Sequence, residues 1–585
     1  MIKKVAEYRT PLILLLLLIL VQSFRADLTN PYRKPIAGDA QGYYAYLPAI
    51  FIYNDPHYGF VETINEKYYV PATSKSFINE VDGQRVNKTF PGVAVLYFPF
   101  FAIAHAFSHI TGLPADGYAY SYQLFFLVGF WFYVFAGMIY FKKSLQLCGI
   151  TPLLSDLSLL VTVLGTNMFF YSVFDQSVTH IHNFFLVCFA VYHALKLKHV
   201  FSRKSLLVTL AALCLLVIVR PTNAIALGVI IFFIPDITYY KNLIKKIFSL
   251  NVIFYALLIM CAIFAIPPLI WKMQTGHWII YSYGEEGFNF LSPEIINFLF
   301  SYTKGWFVYT PLMLVILVGG FLLIWRKNRT QFLFGIALFA LLIYIFSSWW
   351  CWYYGAGMSQ RVMIDYYLIP GYLFALLIQW VSTKTNRVKI SFALVFILGI
   401  LFNQVQAFQI ASGILPFGSP TREQYWDQFL SMKKKALIYP PAHWQKISSG
   451  QVDLNPTSGH VIKGNSILTG QDWTLQTDEK NQYSAVTATD SISFKKGNKL
   501  VFSFEARAET DINESRVVFV IDSTHSEVFF VKEYISTSWE KMQFKIEPTF
   551  DSTCPVEIFI WNAGTTEKLL IKNLSWELYY SEEYY

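Results

Sequence analysis

Asp39 is the residue whose type and setting best suit proton transfer. It stands in Gly38-Asp39-Ala40-Gln41-Gly42-Tyr43-Tyr44-Ala45-Tyr46-Leu47-Pro48, shortly after a first apolar run. Tyr43, Tyr44 and Tyr46 suit a stretch lying in the membrane interface. A carboxylate held at that level can take the proton of an acceptor hydroxyl, which is general-base work. The competing reading is that Asp39 caps the helix after it, since Asp is a strong N-cap. Arg220, in Arg220-Pro221-Thr222-Asn223, splits a long apolar stretch. An arginine at membrane depth is costly and points to a role. Its guanidinium can grip phosphate with several donors, or form an internal ion pair with Asp175. Arg361 lies near the end of the Trp-rich run from Ser347 to Asp365, where Gly355 and Gly357 permit close backbone approach. It can reach a phosphate at the head of the next helix, or snorkel to the interface. Lys304, in Tyr302-Thr303-Lys304-Gly305-Trp306, is a further cation ahead of a span.

Two other segments carry polar groups. Phe174-Asp175-Gln176-Ser177-Val178-Thr179-His180 puts Asp175 and His180 in one turn, with His182 just beyond. A polar turn with satisfied histidines explains this equally well. The stretch from Trp271 to Phe288 carries His277, Tyr281, Tyr283, Glu285 and Glu286. Aromatic planes suit the C–H faces of sugar rings. An interfacial belt would explain the Trp and Tyr residues, but not Glu285, Glu286 or His277. These residues require no cofactor and no metal, although Asp39 with Glu285 is a pair that could hold a divalent cation.

The elements that must position these groups are membrane helices. The chain has 585 residues, 55% hydrophobic, 18% aromatic and only 14% charged. A soluble domain carries about 25% charge. Apolar runs fall near 9–24, 92–110, 118–141, 154–171, 180–197, 205–219, 221–236, 248–270, 308–325, 331–347, 363–381 and 389–411. Many approach the ~20 residues that cross about 30 Å of hydrocarbon. The net charge of +8 sits in short Lys/Arg groups between these runs. That pattern fits cytoplasmic loops rather than nucleic-acid binding.

Lys3 and Lys4 put the N-terminus inside, so residues 25–90 form an outer loop. Phe24 and Arg25 before Ala26 make a poor cleavage site, and the first run reads as an uncleaved helix. Lys142 and Lys143 are inside only if one of 92–110 and 118–141 crosses. Pro91, Gly92, Pro99, His105 and His109 mark 92–110 as the one that does not, re-entrant or lying along the outer surface. About eleven spans remain. A second large outer loop is 271–307, joined by 348–362. The six cysteines stand singly, without metal or redox spacing.

Beyond the last run the pattern changes. Residues 412–445, with Pro416, Pro420, Pro440 and Pro441, read as a linker. From 446 to 585 come alternating runs such as Leu500-Val501-Phe502-Ser503-Phe504 and Val556-Glu557-Ile558-Phe559-Ile560. Short strands at this spacing suggest an all-β sandwich. Its aromatics, Trp473, Trp539, Trp561 and Trp576, resemble those of jelly-roll modules that bind carbohydrate, although core packing accounts better for Trp561 and Trp576.

An acidic residue after the first membrane helix, followed by a Tyr-rich stretch, resembles the GT-C class of membrane glycosyltransferases. The protein O-mannosyltransferases and the aminoarabinose transferases of family 39 are similar in layout over residues 1–411. Thr89-Phe90-Pro91-Gly92 resembles that family's juxtamembrane Pro motif, and the Trp-rich run ending near Arg361 a further motif. This chain has a lone Asp39 where the eukaryotic enzymes carry an Asp-Glu pair, and Phe-Pro-Gly where relatives often have two prolines.

The resemblance implies a sugar transferase at the outer face of a bacterial inner (plasma) membrane, with a polyprenyl-phosphate-sugar donor and a glycan, lipid or protein acceptor. Asp39 would be the base. Arg361, Arg220, Lys304, His180 and Tyr283 would hold the donor, and Asp175, Glu285, Glu286, Tyr43 and Tyr44 would serve the acceptor. No Gly-rich nucleotide loop is present and the inner loops are short, which favours a donor carried in the membrane. The rivals are a lipid-linked glycan flippase, which would want mid-membrane polar pairs and repeats, and a non-catalytic polymer assembly or export protein.

Overall fold

The computed structural model describes residues 2–24, 34–69, 77–247, 250–418, 420–433 and 435; farther on it describes 444–455, 461–463, 467–469, 472–476, 484, 486–495, 498–508, 516–521, 525–531, 534, 537–547, 551–561 and 569–581. Arg25, Ala26 and the rest of 25–33 and 70–76 in the first outer loop lie outside the described residues, as do Pro440 and Pro441 of the linker. The chain divides into two compact units, Met1–Ala411 with Phe417–Ser419, and Ser412–Pro416 with Pro420–Tyr585.

The first unit is helical. It opens with α1 (Ile2–Ser23), α2 (Asp39–Pro48) and α3 (Val61–Tyr68), then a hairpin of β1 (Ile78–Val81) and β2 (Gln84–Asn87). Asp82 and Gly83, at φ 51° and 73°, form its two-residue turn, of the kind that matches strand twist. Next come α4 (Gly92–Thr111), α5 (Tyr120–Leu147), α6 (Pro152–Leu164), α7 (Met168–Val173), α8 (His180–His199), α9 (Arg203–Val219), α10 (Ala226–Phe233), α11 (Ile237–Ile247), α12 (Leu250–Phe264) and α13 (Ile266–Thr275). The unit ends with α14 (Ile295–Phe300), α15 (Trp306–Tyr309), α16 (Pro311–Lys327), α17 (Arg329–Ser347), α18 (Leu368–Ser382) and α19 (Asn386–Ala411).

Among the described residues five helices are long and apolar enough to cross a membrane, Gly92–Thr111 among them although its sequence reads as not crossing, and the bent pair Pro221–Phe233 with Ile237–Ile247 would make six. The count of about eleven read from apolar runs differs because a run is not a helix. Several runs fold as shorter pieces: α6 has 13 residues, α10 8, α16 17 and α18 15.

The segment 92–110 folds as one unbroken helix of 20 residues, Pro99 included, so the re-entrant alternative is corrected. A Pro removes one backbone bond without forcing a hairpin when neighbours support the helix. Both ends of α4 meet the neighbourhood of the preceding loop. Gly92 packs on the backbone of Ile218 and Val219, beside Arg220. Past its other end, the oxygens of Asp116 accept from Lys67 at 2.8 Å, Tyr68 at 2.5 Å and Tyr53 at 2.9 Å, and Tyr44 donates to the Gly117 carbonyl. At the far end of α5, Lys143 Nζ lies 3.3 Å from the Tyr8 hydroxyl of α1, and Lys142 pairs with Asp156.

The second unit carries α20 (Arg422–Asp427), opened by a capping box between Thr421 and Gln424, and then strands. In order these are β3 (Trp444–Gln451), β4 (Val461–Lys463), β5 (Ile467–Thr469), β6 (Asp472–Gln476), β7 (Val486–Ala488), β8 (Ile492–Phe494), β9 (Lys499–Ala508), β10 (Arg516–Ile521), β11 (His525–Phe530), β12 (Glu540–Ile546), β13 (Ser552–Cys554), β14 (Val556–Trp561) and β15 (Leu569–Ser581). They form a five-stranded sheet, β11-β10-β14-β7-β4, and a six-stranded sheet, β12-β9-β15-β6-β5, with β3 also on β15. The sheets face one another: Phe502 of β9 meets Phe519 of β10 at 4.6 Å between ring centroids. Trp576 belongs to this core, and the side chain of Trp473 lies outside the described residues.

Candidate functional site

Local chain rules aim the site residues. Pro221 cannot donate a backbone bond and keeps its predecessor out of the α region. Arg220 is accordingly extended, at φ −153° and ψ 126°, where α9 ends and a 3-10 turn over Pro221–Ile225 begins. Leu216 O, which accepts from Arg220 N at 3.0 Å, also accepts from the Asn223 side chain at 3.3 Å. Gly38, not Asp39, is the N-cap of α2, at φ 55°. Asp39 is the first helical residue and makes no cap bond, so its carboxylate is free for another partner. Arg361 starts a 3-10 turn that leads into α18.

That partner is Arg361: its Nη2 donates to Asp39 Oδ2 at 2.8 Å. The Asp39 side chain remains 43% exposed, against 12% for Arg361. Both line a cavity of about 450 Å³, which Tyr43, Arg220 and Tyr283 also line. Among the described residues Arg220 has no carboxylate within 4 Å, so its charge faces the cavity without a salt bridge. Tyr43 lies beside Arg220, and burial pushes its phenol above the ordinary range, keeping it a proton-bearing donor. Burial does the same for Tyr283.

The cavity walls come from three loops tied together. Asn79 donates to Ser282 O at 3.0 Å, Ser282 Oγ to Lys88 O at 2.9 Å, and Lys88 pairs with Glu286 at 2.8 Å. These bonds fasten 281–286 to the hairpin and the segment after it. Trp350 N donates to Gly287 O at 2.9 Å and Asn289 N to Ser348 O at 2.6 Å, which fastens the Trp-rich run to the same loop. Trp349 meets Phe288 and Tyr283 edge-on, at 4.8 and 5.7 Å between centroids. Gly357, at φ 130°, lies against the Tyr171 hydroxyl, which accepts from Met358 N at 2.9 Å. A side chain at 357 would collide there, so the glycine expected to permit close approach does so.

Of the other residues picked from the sequence, Glu286 lines the cavity, and Lys304, Asp175, His180, Tyr44 and Glu285 are not among its lining residues. Lys304 donates to the carbonyls of Gly357 and Phe417. Burial, with Arg361 nearby, lowers its pKa to about 7. It braces the run behind Arg361. Asp175 accepts from Ser177 N at 3.1 Å and Ser177 Oγ at 2.6 Å, and burial raises its pKa. It pairs with neither Arg220 nor Arg361 within 4 Å.

His180 Nδ1 lies 2.7 Å from Asp365 Oδ1, and Asn183 donates to Asp365 Oδ2 at 2.8 Å. His182 meets the Tyr97 hydroxyl at 3.0 Å. Each histidine is held through one ring nitrogen, and His180 Nε2 and His182 Nδ1 are buried without a hydrogen-bond partner. Tyr44 turns away to Gly117. Lys88 and Asp365 were missed as site neighbours. Lys88 could have been flagged as the outer-loop cation just before Phe90-Pro91-Gly92, and Asp365 as the carboxylate one helical turn from Arg361.

No family model matches the chain, and no curated protein matches it. Among solved structures, arabinosyltransferase EmbB from Mycobacterium smegmatis is similar at a TM-score of 0.34 and 8% identity, over 84% of this chain and 59% of that one. The chain thus spans about 59% of the length of that structure. A likeness that loose carries no argument for fold or chemistry, which rest on the residues above.

Proposed function

We propose that the chain is a GT-C-type membrane glycosyltransferase that moves a sugar from a polyprenyl-phosphate donor to an acceptor at the outer face. One observation carries this reading. A single cavity joins a partly open carboxylate, Asp39, to a cation without a salt bridge, Arg220, between aromatic walls. Its volume of about 450 Å³ suits one bound sugar phosphate, since ligand pockets run about 300–1,000 Å³.

Asp39, through the oxygen left free by Arg361, takes the proton of an acceptor hydroxyl. The hydroxyl oxygen forms its bond to the anomeric carbon as the bond from that carbon to the phosphate oxygen breaks. The electron pair leaves with the phosphate, and Arg220 stabilises the developing charge. A single displacement of this kind inverts the anomeric centre. Arg361 holds Asp39 in place and presents its remaining donors to the cavity, while Tyr43 donates from beside Arg220. Trp349, Tyr283 and Phe288 offer planes for the sugar. In this account α4 lies along the outer surface, as the contacts at both its ends favour, and roofs one side of α2.

A density map with polyprenyl-phosphate-sugar bound tests the reading. The expected result is phosphate oxygens at hydrogen-bond distance from Arg220, with the anomeric carbon facing Asp39. Phosphate bound away from Arg220 would overturn it.

A further inference from the structure

The first turns of α9 and α12 flank a second cavity, a groove of about 670 Å³. Arg203, Lys204 and Asn251 form one end of it. Its walls are apolar: Leu207, Val208 and Ala211 continue along α9, and Tyr255 and Ile259 along α12. These positions recur every three or four residues, so each helix offers one stripe to the groove. From Arg203 to Ala211 the stripe rises roughly 12 Å, at ~1.5 Å per residue. The groove is therefore graded, with charge at its mouth and hydrocarbon along its length.

The mouth is cationic and unneutralised. Lys246 Nζ sits 5.1 Å from the centre of the Phe201 ring, which brings α11 to the loop before Arg203. Lys196 and Lys198 end α8 close by in the chain. Among the described residues no carboxylate lies within 4 Å of Arg203, Lys204 or Lys246. Helix α11 buries none of its residues and bends 115° from the helix before it. Lys241, Lys245 and Lys246 fall on one face, with Leu243, Ile244 and Ile247 on the other. A basic helix of this pattern lies in the plane of a membrane surface.

The position is set by α8. His180 at its start reaches Asp365 beside the Asp39 cavity, and Lys198 stands in its last turn. Twenty residues of helix separate these ends, about 30 Å at 1.5 Å per residue, the thickness of a hydrocarbon core. The groove therefore opens to the leaflet opposite the Asp39 cavity.

We propose that this groove binds an anionic phospholipid of that leaflet, its phosphate between Arg203 and Lys204 and an acyl chain between α9 and α12. The inference goes beyond the transferase reading and does not depend on it. The basic mouth supplies the selectivity for charge, and the apolar walls supply the requirement for a chain.

Native mass spectrometry of the purified full chain with phosphatidylglycerol, phosphatidylcholine or inorganic phosphate tests this. One phosphatidylglycerol should be retained in preference to phosphatidylcholine. The double variant Arg203→Ala/Lys204→Ala should lose about 30-fold in affinity, since each basic residue near an anionic surface contributes about a factor of five. Both side chains are exposed, so the variant keeps its fold. Ala211→Trp, which fills the groove and leaves the charges intact, should also lose the lipid. Equal retention of the two lipids, or an unchanged double variant, would overturn the proposal. So would displacement of the lipid by inorganic phosphate with Ala211→Trp binding normally, because charge alone would then account for the site.

Discussion

Replacing Arg220 tests whether it is the group that holds the donor phosphate. Arg220→Lys keeps the charge and loses the forked geometry; Arg220→Ala loses both. The structure gives the guanidinium no carboxylate within 4 Å among the described residues. Asp365 keeps its own bonds, from His180 at 2.7 Å and Asn183 at 2.8 Å, whatever stands at 220. No ion pair within 4 Å among the described residues is broken, so a fall in donor affinity can be read against the thermal unfolding of the same variant. A hydrogen bond to a charged group is worth about 1.5–3 kcal/mol. Losing one, as in Arg220→Lys, should weaken donor binding about 10- to 150-fold, and Arg220→Ala should weaken it further. The assay is titration of polyprenyl-phosphate-sugar into the protein in nanodiscs, with acceptor binding and thermal unfolding measured alongside. Donor affinity changed less than about threefold in both variants would refute the reasoning. Donor and acceptor weakened equally would do so too, because that pattern belongs to a distorted site.

Three further outcomes are expected. Burial lowers the Lys304 pKa to about 7 from 10.5, so between these values the unfolded lysine holds a proton that the folded one has shed. The stability of the protein relative to Lys304→Gln should therefore rise from pH 7 to pH 10 in denaturant titrations; a flat difference would contradict the burial of Lys304. In whole cells, Leu113→Cys and Glu66→Cys should both react with an impermeant thiol reagent and Lys198→Cys should not. Labelling of position 198, or protection of 113 alone, would show that α4 crosses. Lys142 is a poor reporter, being buried against Asp156. The second unit, expressed from Pro420, should fold alone as a soluble β-protein, whereas a start at 446 would cut into β3, which pairs with β15 from Trp444 onward. Its deletion should raise the acceptor KM more than it lowers kcat, and unchanged acceptor kinetics would leave it a role in stability or assembly.

The sequence was most legible where a residue type is costly in its setting. Arg220 stood out because a charge inside an apolar run demands a reason, and Pro221 next to it marked the break that the backbone shows. The alternating strands were legible because a sheet packed on one face imposes a period of two. Pairing was not legible. Nothing in the spacing of Asp39 and Arg361 foretells their bond across 322 positions, nor that Lys304 would donate to the carbonyls of Gly357 and Phe417. Such contacts depend on how loops close over one another, as the Lys88–Glu286 pair does. About eleven runs and five or six span-length helices differ because hydropathy does not show where a helix starts and stops, as the short α6, α10 and α18 illustrate.

The central claim, that Asp39 is the general base of a sugar transfer, is tested most directly by Asp39→Asn. Donor binding and single-turnover transfer should be measured on the same preparation. Donor affinity should stay within a few-fold of the parent protein, and the transfer rate should fall by about 10²–10⁴, the usual contribution of a positioned base. Transfer at a near-normal rate with donor bound would contradict it.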